Sequence, residues 1–270
     1  MGLPDATPAK YQLDQSWEQE RERLADLERL ADPVTTDHLR HLGVSQGWRC
    51  LEVGAGAGSI ARWLADAVGA KGQVLAIDLE TALLEPLRSG VVEVRRADIL
   101  VDDLPGGFDL VHARLVVGHL EGNRATALRR MVKALRPGGW LLVEEFDFVW
   151  TEFADWPGDP PQYGPLTGKV WRAMVALWKA GGYDGHWART LASDLRAAGL
   201  SDVEGEARAR ICSTGSLDWL SVERFREQLV ESGALTLAEL DAYRAACLDE
   251  RYINTAPLQT SVWGRAGHGS

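Results

Sequence analysis

The sequence predicts an α/β fold: an open, mostly parallel sheet with helices on both faces and helical cap insertions forming a lid. Three observations carry that prediction. Between Trp48 and Phe146, short apolar runs alternate with amphipathic helical stretches. A glycine-rich turn follows the first of those runs. After Asp147 the alternation stops for a stretch rich in Pro, Gly and Asp and a new group of helical patterns, before strand-like runs resume.

In order along the chain, Trp17, Leu24, Leu27 and Ala31 recur at helical spacing among charges, which predicts a one-faced helix over 16–31. Asp32-Pro33 has the form of a helix start, Asp as N-cap and Pro at the first helical position. A second, short helix is therefore expected to about residue 42. Strands are expected at 50–53, 73–78 and 91–95, separated by helices at 59–68 and 81–88. A strand at 108–113 and a helix at 123–135, with Ala127, Leu128, Met131, Val132 and Leu135 on one face, lead through the Pro137-Gly138-Gly139 turn to a strand at 140–146. Residues 151–165 read as a loop and 166–179 as a helix with Val170, Trp171, Met174, Leu177 and Trp178 on one stripe. Further on, a helix over 186–198 stops at Gly199, a strand covers 202–211, and helices cover 217–231 and 237–250. The last of these opens with the capping box Thr236-Leu-Ala-Glu239, and a strand at 258–265 closes the pattern. The expected organisation is a helical lid segment over 1–47 and a sheet domain over 48–270, with cap insertions at about 148–183 and 213–256.

Composition narrows the function. The 270 residues suffice for one large core without disulfides or metals. Lys plus Arg total 29 against 39 Asp plus Glu, a formal charge of −10 with no basic block, which argues against nucleic acid as a partner. Cys50, Cys212 and Cys247 lack metal-ligand spacing and read as small core residues in a reducing compartment, so no metal is expected. No leader-like segment and no apolar run near the roughly 20 residues that span a bilayer are present, so the expected location is the cytoplasm, away from membranes. Six of the eleven tryptophans fall between residues 150 and 219. They are either core packing or the walls of an aromatic pocket.

The stretch Cys50-Leu-Glu-Val-Gly-Ala-Gly-Ala-Gly-Ser59 holds the most specific signal. A nicotinamide-binding turn asks for a third glycine where Ser59 stands, and a phosphate-binding loop asks for a Gly-Lys-Ser/Thr that is absent. The form that remains is Glu52-Val-Gly54-Ala55-Gly56-Ala-Gly58, with an acid two residues before three alternating glycines. Here the sequence resembles the class I S-adenosylmethionine-dependent methyltransferases. The resemblance is strongest from Trp48 to Phe146 and rests on further positions in order: Asp78 ending VLAID 26 residues after Glu52, Asp98-Ile99, FDLVHAR at 108–114, and LRPGGWLLVEE at 135–145.

That resemblance implies a Rossmann-like, seven-stranded, mostly parallel sheet with its last strand antiparallel. It implies S-adenosylmethionine as methyl donor, with S-adenosylhomocysteine as product. By the same analogy Glu52, Gly54, Ala55 and Gly56 hold the methionine side, Asp78 with Leu79 the ribose, and Asp98 with Ile99 the adenine. Arg114 either holds the donor's carboxylate end or pairs with a surface acid, and Tyr11, ahead of the first helix, folds over the donor or is unstructured.

Transfer from a sulfonium mainly requires alignment and exclusion of water, with a base where the acceptor is a hydroxyl. Candidates beyond the fourth and fifth strands are His119, Glu145 and Asp147. Each has a plain alternative: His119 can anchor its loop, and the two acids can cap a strand end. Strand alternation forbids Glu144 and Glu145 from facing the same side. The expected reaction is methylation of a small, partly apolar molecule, at oxygen, in bacterial secondary metabolism; the alternative is a cyclase or isomerase that uses the bound donor non-reactively. The small-molecule acceptor is the expected partner, and a homodimer is left open.

Overall fold

The computed structural model describes residues 18–148, 164–213, 216–249, 251 and 253–267. Tyr11, Trp17, Trp150 and Trp156 lie outside them.

Seven strands form one sheet: β1 (Arg49–Val53), β2 (Gln73–Asp78), β3 (Val92–Arg96), β4 (Phe108–Arg114), β5 (Leu135–Asp147), β6 (Leu200–Arg208) and β9 (Leu258–Ala266). Their order is β3-β2-β1-β4-β5-β9-β6. The first five are parallel, and β9 inserts between β5 and β6, antiparallel to both. A separate antiparallel pair, β7 (Ile211–Ser213) with β8 (Ile253–Thr255), is an addition that the sequence pattern does not announce. The order runs outward in opposite directions from β1 and β4, which places the crevice of an open α/β sheet at the carboxyl ends of those two strands.

Alternation along the strands builds two cores. Leu51, Val53, Val111, Ala113, Leu141 and Val143 pack on α3 (Arg124–Ala134) and α5 (Leu191–Ala197). Cys50, Val74, Ala76, Leu110 and Leu142 face the other way, onto α2 (Ser59–Val68) and the end of α1 (Glu20–His41). Burying each of the leucines here contributes about 1.5–3 kcal/mol. Because both faces are covered, the strands are nearly continuous apolar runs rather than alternating ones.

A third core lies outside the sheet. Leu30 and Ala31 of α1, with residues of α4 (Gly164–Ala180), α6 (Ser216–Glu223), α7 (Arg226–Glu231) and α8 (Leu237–Cys247), bury a cluster that includes Trp171, Met174, Trp219, Phe225 and Tyr243. The same α1 places Leu39 in the sheet core, so this helix spans lid and sheet. The capping box of α8 is formed in both directions between Thr236 and Glu239.

Four local expectations are corrected. First, α1 does not break at Asp32 but continues through Pro33. Proline removes the N–H that would bond the carbonyl four residues back, and Arg210 supplies the missing donor: its guanidinium reaches the carbonyls of Arg29 at 3.0 Å and Leu30 at 2.6 Å. Second, residues 81–88 form only a 3₁₀ turn, Glu85–Leu87, because Pro86 ends any helix started at Thr81. Third, 186–198 is a 3₁₀ turn, Trp187–Thr190, followed by α5. Fourth, 217–231 divides into α6 and α7, with buried Phe225 at the break. No helix among the described residues is long and apolar enough to cross a membrane.

Candidate functional site

The glycine loop joins β1 to α2 with all three glycines in the left-handed region, φ +68° at Gly54, +58° at Gly56 and +86° at Gly58. Two of them are also needed for space. A Cβ on Gly54 would lie 2.2 Å from Val116 Cγ2, and one on Gly58 would lie 2.2 Å from Leu87 Cδ1. Gly56 has nothing nearer than Leu24 at 3.9 Å, so its bare backbone faces open space. The amides of Gly54 and Ala55 both donate to Ile77 O, at 2.8 and 3.1 Å, tying the loop to the end of β2.

That space is a cavity of about 230 Å³ at the carboxyl ends of β1, β2, β4 and β5. Glu52, Gly54, Ala55, Gly56, Asp78, Leu79, Asp98, Ile99, Arg114 and His119 all line it. Asp78 accepts from the Gly56 amide at 2.9 Å and from the Glu80 amide at 3.0 Å, while burial pushes its carboxyl above the usual carboxylate range against those bonds. Leu79 is 43% exposed, a large apolar side chain at the cavity rim. Asp98 accepts from the Leu100 amide at 2.8 Å, and Ile99 is buried. Leu115, which follows β4 in the cavity wall, has φ +57°, a costly conformation for a branched side chain.

Arg114 is already engaged: it reaches Asp32 at 2.9 Å and Thr35 Oγ1 at 2.9 Å, both on α1. The N-terminus of α2 is met from the same helix, Ser59 donating its hydroxyl to Asp32 at 3.0 Å and its amide to Glu28 at 3.3 Å. Asp32 therefore works as a partner of Arg114 and Ser59 inside α1, not as an N-cap.

Behind Glu52 stands a buried row of charges. His112, opposite Glu52 in the β1–β4 register, places Nδ1 2.7 Å from Glu52 Oε2 and Nε2 3.3 Å from Glu144 Oε2. Glu144 also accepts from Ser261 Oγ at 2.6 Å and from Thr35 Oγ1, and lies 3.2 Å from His38 Nδ1. His38 Nε2 is 2.6 Å from Glu206. Burial works against a charged His112, but Glu52 and Glu144 outweigh it and raise its pKa to about 9. Both ring nitrogens then donate. Glu144 is held well below the carboxylate range: burial opposes its charge, and the hydrogen bonds of His112 and His38 overcome it.

One part of the cavity wall is an aromatic cluster. Phe146, Phe148, Trp171, Trp178, Tyr183 and Phe225 make it up. Phe148 stands at the centre, with ring centroids 5.0 Å from Trp178, 5.9 Å from Trp171 and 6.2 Å from Tyr183. Of the clustered tryptophans that are described, Trp171 and Trp178 belong to the lid core and also form pocket wall, whereas Trp187 and Trp219 are core residues that do not line the cavity.

The three expected acid–base groups separate. His119 sits on the cavity wall with its ring 4.6 Å from that of Tyr183. Burial, followed by the positive charges of Arg23 and Arg124, lowers its pKa to about 4, so at neutral pH it is an uncharged imidazole and a weak base. Glu145 does not line the cavity. Its carboxylate is turned under the 116–118 turn, where it accepts from the Gly118 amide at 2.9 Å, and burial raises its pKa to about 7. Asp147 is also off the cavity wall, held by Arg189 at 2.8 Å. Glu145 and Asp147 do share a face, as strand alternation requires, but it is the face away from the row that contains Glu144. Tyr11 lies outside the described residues. Among the described residues no group of three His, Cys, Asp or Glu is arranged to hold a metal ion.

Comparison with known proteins agrees with this geometry. Residues 50–139 match the family described as "Methyltransferase domain". Methyltransferase str3 of Strobilurus tenacellus is 31% identical over 175 residues, 62% of this chain and 58% of that protein. The chain thus spans about half the length of the curated relatives it matches. The YcgJ protein of Bacillus subtilis superposes with a TM-score of 0.54 at 14% identity, over 86% of this chain and 97% of its own. Phosphoethanolamine N-methyltransferase 2 of Haemonchus contortus, solved with S-adenosyl-L-methionine, gives 0.50 at 18% identity, over 92% of this chain and 53% of its own. Those two likenesses show the fold. With the strand order and the acid-led glycine loop in register, the chain carries a methyltransferase-domain match over residues 50–139 and is similar in fold to the class I S-adenosylmethionine-dependent methyltransferases.

Proposed function

We propose that this protein transfers a methyl group from S-adenosylmethionine to an oxygen of a small, partly apolar, ring-bearing molecule of the kind secondary metabolism produces. The observation that carries the reading is that one cavity is lined by two chemically different groups of residues. The glycine loop, Asp78, Leu79, Asp98 and Ile99 make one group, and six aromatic side chains from β5, its following turn and the lid make the other.

The residues present fit the donor. Gly56 leaves its backbone bare, a carboxylate at Asp78 suits the two hydroxyls of a ribose, and apolar Leu79 and Ile99 suit the faces of an adenine. The two arginines on the wall, Arg23 and Arg114, are paired with Glu20 and Asp32, which disfavours a phosphate-bearing dinucleotide. When bound, S-adenosylmethionine supplies an electrophilic methyl group on a sulfonium. In this reading Glu52 orients the methionine end, Asp98 receives the adenine amine, and Arg114 fixes α1 against the loop. His119, uncharged, accepts the hydrogen bond of an acceptor hydroxyl, orients its lone pair and takes the proton that the oxygen gives up as it gains the methyl group. The segment over 1–47 and the insertions at about 148–183 and 213–256 act as caps that exclude water from the transfer.

The test is incubation with methyl-labelled S-adenosylmethionine and a panel of small phenols and partly apolar alcohols. The reading expects labelled O-methyl ethers. Label on carbon, or an unlabelled rearranged product with the donor intact, would overturn it.

A further inference from the structure

We propose that His112 and Glu144 are positioning residues that transmit the seating of α1 to Glu52, so that docking of this helix sets the carboxylate facing the donor. The proposal rests on the donor reading of the cavity above.

The row is one layer of the sheet, and its neighbouring layer shows what it could have been. One step toward the amino ends of the strands, on the same face, stand Cys50, Leu110 and Leu142, all fully buried. At the next inward-facing step the chain has Glu52, His112 and Glu144 instead, each nearly or wholly excluded from solvent. Apolar side chains would fill that layer without the desolvation penalty that buried charges carry, so the fold does not require this row for packing. What the row has that apolar residues lack is direction. Glu52 touches the cavity, and its carboxylate is fixed by a ring nitrogen of His112 at 2.7 Å. The opposite ring nitrogen is fixed by Glu144, which is the atom group that α1 reaches.

The helix reaches it twice. His38 and Thr35, three residues apart and so on one face, both bind Glu144. Thr35 also accepts from Arg114, a residue of the cavity wall, and from Gln259 at 3.2 Å. If α1 lifts, Glu144 loses two of its partners, and His112 and Glu52 lose the fixed end of their chain. The same helix carries Leu24, Leu27 and Glu28 on the cavity wall, so the element that covers the donor is the one that tightens the carboxylate beneath it.

A double-mutant cycle read by titration calorimetry with S-adenosylhomocysteine tests this. His38 does not line the cavity, and neither does Glu144. The expected result is that His38→Gln and Glu144→Gln each weaken S-adenosylhomocysteine about tenfold, and that His38→Gln changes affinity less than about twofold once Glu52→Gln is present. Chemical denaturation checks that each variant is folded; should Glu144→Gln not fold, His38→Gln and the Glu52→Gln background carry the test alone. A merely structural histidine would leave affinity unchanged, or weaken it equally in both backgrounds, and either result overturns the proposal. If the wild-type protein binds no S-adenosylhomocysteine, it is the donor reading that falls. If the wild type binds and His38→Gln binds as well, the relay falls and the donor reading stands.

Discussion

Asp78 holds the glycine loop and borders the cavity with one carboxylate, so its removal acts on both. Hydrogen bonds to a charged acceptor contribute about 1.5–3 kcal/mol each, and about 1.4 kcal/mol is tenfold in affinity. Asp78→Ala is therefore expected to weaken S-adenosylhomocysteine by roughly 10–100-fold in a calorimetric titration; unchanged affinity would remove Asp78 from the donor site. His112 makes a pH prediction. Its folded-state pKa, about 9, lies above its ordinary value because Glu52 and Glu144 favour the imidazolium, and His38 is shifted in the same direction. A raised pKa means stability fully present below the unfolded value near 6.5 and lost as pH rises through about 9. The denaturant midpoint should fall between pH 7 and pH 9.5 or so, and His112→Asn should flatten that fall. At this scale Glu52, Asp78 and Asp98 are legible in sequence, because each ends or follows a strand in a motif of fixed order. The partners of Glu52 are not. His112 and Glu144 lie 60 and a further 32 residues along, and only the strand register brings them together. Glu145 is a candidate from its place near the end of the fifth strand, and alternation separates it from Glu144 without saying which of the two faces meets the cavity.

The glycine loop and α1 show what one element can and cannot reveal by itself. Gly54 is fixed twice, by φ +68° and by Val116 against its α-carbon. Gly54→Ala should cost about 1–3 kcal/mol in denaturant unfolding and abolish donor binding. Gly43→Ala is the control: its φ is +82° with nothing within 4 Å, so it should lose stability but keep donor affinity. Helix α1 is the counter-example. Asp32-Pro33 has the local chemistry of a helix start, yet the helix runs on because a guanidinium 181 residues away satisfies Arg29 O. Arg210→Met should lower stability by about 1–2 kcal/mol, measured by chemical denaturation, and an unchanged midpoint would show that solvent serves those carbonyls equally well. Local pattern was sufficient for α2 and β2, whose ends coincide with the periodicity, since apolar spacing and glycine boundaries there are purely local.

Across the whole molecule, the parallel strands were readable because both faces of the sheet are covered and each strand is a plain apolar run. That the last strand, β9, runs antiparallel comes from resemblance; its place between β5 and β6 is a finding of the structure, since periodicity carries no strand order. The lid is the least legible part. Its core draws on α1, on α4 and on the consecutive helices α6, α7 and α8, three stretches far apart in the chain, and periodicity shows that each has an apolar face without showing that the faces meet. The same holds for the tryptophans: Trp171 and Trp178 become pocket wall and Trp187 becomes core only through the assembled fold. The proposed function requires the cavity between sheet and lid to hold an adenosyl sulfonium donor. Titration calorimetry of the whole protein with S-adenosylhomocysteine tests it most directly, with NAD as the competing ligand. The expected result is saturable one-to-one binding of S-adenosylhomocysteine in the micromolar range and none of NAD; binding of NAD, with no S-adenosylhomocysteine bound by the folded protein, would rule out an adenosyl sulfonium site.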